Sequence, residues 1–238
     1  MIRSELTVVN QTTVLNPTID QYLLSTCLFI IDEFNEMYDS IDNIQLKKIA
    51  DNEYNEMDIC VRIGYPFRNM VHYTVGDGRK KYEEDTKSKI NHDIYVKSKG
   101  FKIEVKYLKN WKSESGTNSC SKSWREYQQD FDWLYNEIKN GNKGKSAFVI
   151  GWFNCVEKFS TLMQLGGTPG GKPKVDPYKV AYFPFLRSLG TVYTQDLTYN
   201  YSKAYKPYEI ELRDDIKHEY NCLFLGNEND KFHFAIYF

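Results

Sequence analysis

Residues 92–108 read HDIYVKSKGFKIEVKYL, two alternating runs joined by a Lys-Gly pair. Side chains two apart in a strand share a face, so Ile103 and Val105 point one way and Glu104 and Lys106 the other. A hairpin turning at Lys99-Gly100 carries Asp93 back to a place opposite Lys106, within one or two residues of Glu104. Glu104 is set between Ile103, Val105, Tyr107 and Leu108, an apolar setting expected near the centre of a sheet. The competing reading is an ordinary surface hairpin, with Glu104 and Lys106 facing water beside Lys97, Lys99 and Lys102.

Two carboxylates and an ammonium at one point suit metal-assisted chemistry. Mg²⁺ takes one or two carboxylates, keeps several waters and accepts substrate phosphate oxygens. Asp93 and Glu104 supply the carboxylates. Bound there, Mg²⁺ or Mn²⁺ polarises a scissile phosphate and acidifies a coordinated water. Lys106 is then placed to orient that water and to meet the charge that develops in the transition state.

The flanking segments read as alternating helices and strands. NPTIDQYLLSTCLFIIDEFNEMYDS is predicted as a helix, with Asn16 as cap, Pro17 at the first position and apolar residues at helical spacing. MDICVRIGYP alternates Met57, Ile59, Val61 and Ile63 and reads as a half-buried strand. SWREYQQDFDWLYNEIKNGNKGK reads as a second helix, capped by Ser123 and ended by Gly141. Its apolar stripe is Trp124, Tyr127, Phe131, Leu134 and Ile138. SAFVIGWFN is a very apolar strand, expected at the sheet centre, and NCLFLGNENDKFHFAIYF is expected to form a hairpin. The order predicts an α/β fold: residues 1–160 as a core, and residues 161–238 as a loop plus a β-rich part that completes the same domain or forms a small subdomain.

An Asp, ten intervening residues, then Glu-x-Lys, here Asp93, Glu104 and Lys106, resembles the core motif of the PD-(D/E)xK nuclease superfamily, which includes restriction and repair enzymes. The order of acidic helix, motif hairpin, helix and apolar strand is similar too, over roughly residues 20–155. His92 stands where the family name has proline. The resemblance implies a restriction-endonuclease-like fold, a mixed central sheet flanked by helices with a β-rich C-terminal extension. It implies a Mg²⁺- or Mn²⁺-dependent nuclease acting on phosphodiester bonds, with DNA as substrate before RNA, in restriction, defence or repair. Many such enzymes cut as homodimers. In such families a glutamate of the first helix joins the metal site, a part that falls to Glu33 or Glu36, and a glutamine of the helix after the lysine recurs, which points to Gln128 or Gln129. A ribonuclease using the same site, and a non-catalytic nucleic-acid- or protein-binding module on the same fold, are the alternatives.

Charge along the chain bears on the partner. Residues 1–58 carry three bases and eleven acids, whereas residues 79–112 carry eleven bases and five acids. A basic block around the motif suits a polyanion. His92 and Lys109 lie beside the motif as phosphate contacts, and Lys172 and Lys174 suit a basic flap over a nucleic-acid backbone. Gly166, Gly171 and Lys172 imitate a phosphate-binding loop, but Pro173 replaces the hydroxyl residue that such a loop needs. Five scattered cysteines and four histidines show no ligand or disulfide spacing, which predicts reduced thiols and a cytoplasmic protein without a membrane span.

Overall fold

The computed structural model describes residues 17–67, 73–75, 92–110, 120–156, 158–167, 173–187, 193–210 and 220–238. The first helix, α1, spans Ile19–Met37 and buries Leu23, Cys27, Ile30, Ile31 and Phe34 at helical spacing. Thr18 rather than Asn16 is its cap, and the Thr18 amide donates to Gln21 Oε1 at 3.3 Å. Asn16 lies outside the described residues. A second helix, α2, spans Asn43–Asn52, with the Gln45 amide donating to Asp42 Oδ1 at 2.8 Å.

The expected strand MDICVRIGYP is instead a helix, α3, Glu56–Gly64. Asn55 Oδ1 caps it by accepting from the Met57 and Asp58 amides, and the Asp58 carboxylate answers by accepting from the Asn55 amide. Ile59, Cys60 and Ile63 form the buried stripe. Met57 and Val61 face outward, half exposed, and these two surface apolar residues imitate the period of a strand.

The strands are β1 Tyr73–Val75, β2 Ile94–Val96, β3 Phe101–Tyr107, β4 Ser146–Phe153, β5 Leu186–Arg187, β6 Thr198–Tyr199, β7 Pro207–Glu209, β8 Asn221–Leu225 and β9 Phe232–Tyr237. The remaining helices are α4 Cys120–Glu137, α5 Phe159–Leu162 and α6 Pro177–Val180. Seven strands form one mixed sheet in the order β1-β2-β3-β4-β9-β8-β7, and β5 pairs with β6 apart from it. Only the β3–β4 pair is parallel, joined through α4; the other pairings are antiparallel. The C-terminal strands thus complete the sheet that the motif strands begin.

Helices α1, α2 and α3 cover one face of the sheet, over Ile94, Val96, Ile103, Val105, Val149 and Ile236. Helix α4 and the C-terminal segments cover the other, over Phe148, Ile150, Trp152, Phe224 and Tyr237. Strand β4 is buried on both faces along its whole length, as expected of a central strand. Helix α4 presents the predicted stripe of Trp124, Tyr127, Phe131 and Leu134, continued by Ile138 in the wider π-helical turn Ile138–Asn142, all buried; the helical backbone breaks at Gly141, whose φ of 87° suits glycine. Among the described residues no helix is long and apolar enough to cross a membrane. Cys27, Cys60, Cys155 and Cys222 are buried, and among the described residues they form no disulfide.

Phe131 anchors α4 to the sheet, with ring centroids 4.6 Å from Tyr182, 4.8 Å from Tyr237 and 5.1 Å from Phe148. Phe131→Ala is expected to cost about 3–5 kcal/mol of stability through the cavity it leaves. Urea unfolding checks this, as a lower midpoint at an unchanged slope.

Candidate active site

The hairpin register differs from the predicted one. Residues 97–100 form the turn and Ile94 pairs with Ile103, so continuing the register sets Asp93 opposite Glu104 rather than Lys106. Gly100, with φ 68°, supplies the left-handed residue the turn requires. Strand β2 begins only at Ile94, which pairs with Ile103, while β3 runs on to Tyr107. Amides of β3 alternate in direction; those of Lys102 and Leu108 donate toward the β4 side, to Lys145 and Gly151. Val105 and Tyr107 therefore aim their amides past the end of β2. Val105 N–H donates to Asp93 Oδ2 at 2.8 Å, and the Tyr107 amide favours the charged form of the nearby Glu56 carboxylate.

Glu104 and Lys106 project from the α4 face of β3, and Glu104 is 8% exposed. Glu104 Oε1 lies 2.8 Å from His92 Nδ1, and the His92 ring packs 5.5 Å from Trp133. The Lys106 ammonium stands 3.4 Å from Asp130 Oδ2 on α4 and 3.8 Å from Glu56 Oε2 on α3. Among the described residues it makes no ion pair with Asp93 or Glu104. The site is thus a cluster of four carboxylates, Glu56, Asp93, Glu104 and Asp130, around one lysine.

Such crowding shows in the protonation equilibria. Burial pushes Asp130 up to about 7, with the Glu104 and Asp93 charges adding to the rise and Lys106 opposing it. Burial likewise raises Glu104, reinforced by Asp93 and countered by His92 and Lys106. Glu56 is raised by burial and by Asp93 and Asp130, with Lys106 opposing. Burial by itself lowers Lys106, but Asp130, Glu56 and Asp93 outweigh it and hold the ammonium above its ordinary range. Cys60, one turn past Glu56 on α3, is pushed up by burial and by Asp93 and Glu56, so it is a neutral thiol at the floor of the cluster.

The donor chemistry fits a hard divalent cation. Asp93 and Glu104 each commit one oxygen to a protein contact; among the described residues Asp93 Oδ1 and Glu104 Oε2 accept no hydrogen bond. The charge excess of the cluster is of the sign that a cation relieves. No group of three or more His, Cys, Asp or Glu side chains among the described residues is arranged to hold a metal ion. Two carboxylates completed by water and phosphate are nonetheless the kind of set that Mg²⁺ uses.

The other expected site residues are dispersed. Glu33 pairs with Arg62 of α3, and Glu36 is exposed on α1, so neither joins Asp93 and Glu104; the helical acid beside them is Glu56. His92 is turned inward to Glu104, with a side chain 11% exposed, rather than outward as a phosphate contact. Lys109 Nζ donates to the Asp51 carbonyl at 3.4 Å, which ties it to the end of α2. Gln129 is exposed and Gln128 half-buried on α4. Lys174 is exposed and bridges to Tyr193, while Lys172 lies outside the described residues. Comparison with family models, with curated proteins and with solved structures finds no match for this chain.

Because the folded pKa values of Asp130, Glu104 and Glu56 are raised, the folded state keeps protons that the unfolded chain has already shed. This contribution to stability is complete below the unfolded carboxylate values. It is lost as pH climbs toward about 7, where Asp130 ionises. Asp130→Asn is expected to flatten that decline: thermal melts from pH 4 to pH 8 give a shallower fall in Tm than wild type. An identical pH slope in the two proteins excludes this assignment.

Proposed function

We propose that the protein is a metal-dependent nuclease of the PD-(D/E)xK type, hydrolysing phosphodiester bonds in DNA. The observation that carries the reading is the gathering of the Asp93 and Glu104 carboxylates, each with one uncommitted oxygen, at the end of β3 that bears Lys106. The mixed sheet, a hairpin followed by a helix and a parallel strand, is of the kind this reading requires.

In this reading Asp93 and Glu104 hold Mg²⁺ or Mn²⁺, which supplies Lewis-acid polarisation of the phosphate and a more acidic water. The chain's own groups do the rest. The Val105 amide fixes Asp93, and His92 fixes Glu104, so each carboxylate presents one oxygen in a set direction. Lys106 carries the positive charge that meets the phosphate oxygen as negative charge grows. Burial against the α4 stripe lowers the local dielectric and strengthens that attraction.

DNA is named from the family resemblance, and a ribonuclease with the same site is the nearest relative of this reading. A binding module without turnover gains support from the ion pairs that draw Lys106 toward Asp130 and Glu56. One assay separates the three. Purified protein is incubated with plasmid, single-stranded DNA or RNA, with Mg²⁺ or with EDTA. Cleavage that needs Mg²⁺ is expected with wild type, and Lys106→Ala or Asp93→Asn is expected to lose about 100-fold or more. Equal nicking by wild type and both variants assigns the activity to a contaminant or another site.

Metal binding has its own readout. Mn²⁺ is expected to raise Tm of wild type, through binding to the folded state alone, and to leave Asp93→Asn unmoved. An equal rise in both proteins places the ion elsewhere.

A further inference from the structure

The scheme above leaves Asp130 without a part, although it is the acid closest to the Lys106 ammonium. Its Oδ2 is buried and has no hydrogen-bond partner of good geometry, so the lysine charge at 3.4 Å is what compensates it. A buried carboxylate is costly, and every other residue of the α4 stripe beside it, from Tyr127 to Leu134, is apolar or aromatic. Asp130 is held by a helix locked onto the sheet through Phe131, whereas Lys106 reaches it along a flexible four-carbon stem. A fixed charge facing a mobile one decides where the mobile one stands.

Glu56 assists from α3, but less firmly. It lies 3.8 Å from the ammonium, and its side chain is 43% exposed. The two acids approach Lys106 from different helices, one on each side of the sheet. Together they draw the ammonium away from ion-pair contact with Asp93 and Glu104, leaving those two carboxylates open to a cation.

We propose that Asp130 is a positioning residue, which with Glu56 sets where the Lys106 ammonium stands and keeps it from neutralising the Asp93–Glu104 pair. Its catalytic consequence rests on the nuclease reading; the placement of Lys106 does not. The test uses Asp130→Asn, which keeps shape and removes charge, and Asp130→Glu, which keeps the charge. With plasmid and Mg²⁺, Asp130→Asn is expected to lower kcat about 10–100-fold, with KM for DNA within about twofold. Its Tm at pH 8 should be no lower than wild type, because an unfavourably buried carboxylate has gone. Asp130→Glu should recover part of kcat. A purely structural residue would lose Tm together with activity, and that pattern, or full kcat in Asp130→Asn, overturns the proposal.

A second measurement needs no turnover. Acetylation of Lys106 by an amine-reactive ester at pH 8, followed by mass spectrometry of the peptide, is expected to run about threefold faster in Asp130→Asn than in wild type. Unchanged labelling overturns the proposal even if the enzyme cleaves DNA. Faster labelling in a protein that cleaves no nucleic acid upholds the placement of Lys106 and removes the nuclease reading alone.

Discussion

Strand β3 is longer than β2, its antiparallel neighbour, and among the described residues its two surplus amides, on Val105 and Tyr107, have no backbone partner on that side. A buried amide left unpaired costs about 1–3 kcal/mol, so something must answer each. Asp93, just before β2, answers the first, and the Glu56 carboxylate, in the first turn of α3, stands near the second. The backbone requirement is thereby also what gathers acids at the end of β3. Glu104 and Lys106 then need only strand parity to arrive at the same place from the α4 face.

The charge balance follows from that gathering. Four partly buried carboxylates around one ammonium are an arrangement the fold tolerates rather than favours, as the upward drift of Glu56, Glu104 and Asp130 shows. Stability comes instead from the layers around it. Helices α1 to α3 seal one side of β3 and β4, and the aromatic cluster of α4 with Phe148, Tyr182 and Tyr237 seals the other. Rigid walls hold the cluster together, and the relief of its repulsion is left to whatever cation or ligand enters.

Much of this was legible in the chain. The alternation in FKIEVKYL gave the two faces of β3, the spacing from Trp124 to Ile138 gave α4, and unbroken apolarity gave β4 its central place. The expected cap of α1 and the strand assigned to residues 57–63 were misplaced, the latter because Met57 and Val61 are apolar yet outward-facing. That misreading hid Glu56: seen as a helix opened by Asn55, the segment places an acid in its first turn, as helices favour. Asp130 also carried a signal, an acid three residues after Tyr127 and four before Leu134, on the face the apolar stripe occupies. Its partner was not readable, because α4 meets Lys106 only through tertiary packing. The hairpin register slipped because the turn takes four residues, 97–100, instead of pivoting on Lys99-Gly100.

Strand β4 also has a history that its buried position conceals. One of its edges is matched by β3, which precedes it in the chain, and the other by β9, which among the described elements follows only after α5, α6 and four further strands. As the chain leaves the ribosome, SAFVIGWF emerges with a half-built sheet on one flank and open amides and carbonyls on the other. Through that interval one edge of this apolar strand is unpaired, the kind of edge on which another strand can add. The late arrival of β9 ends the exposure and closes the sheet.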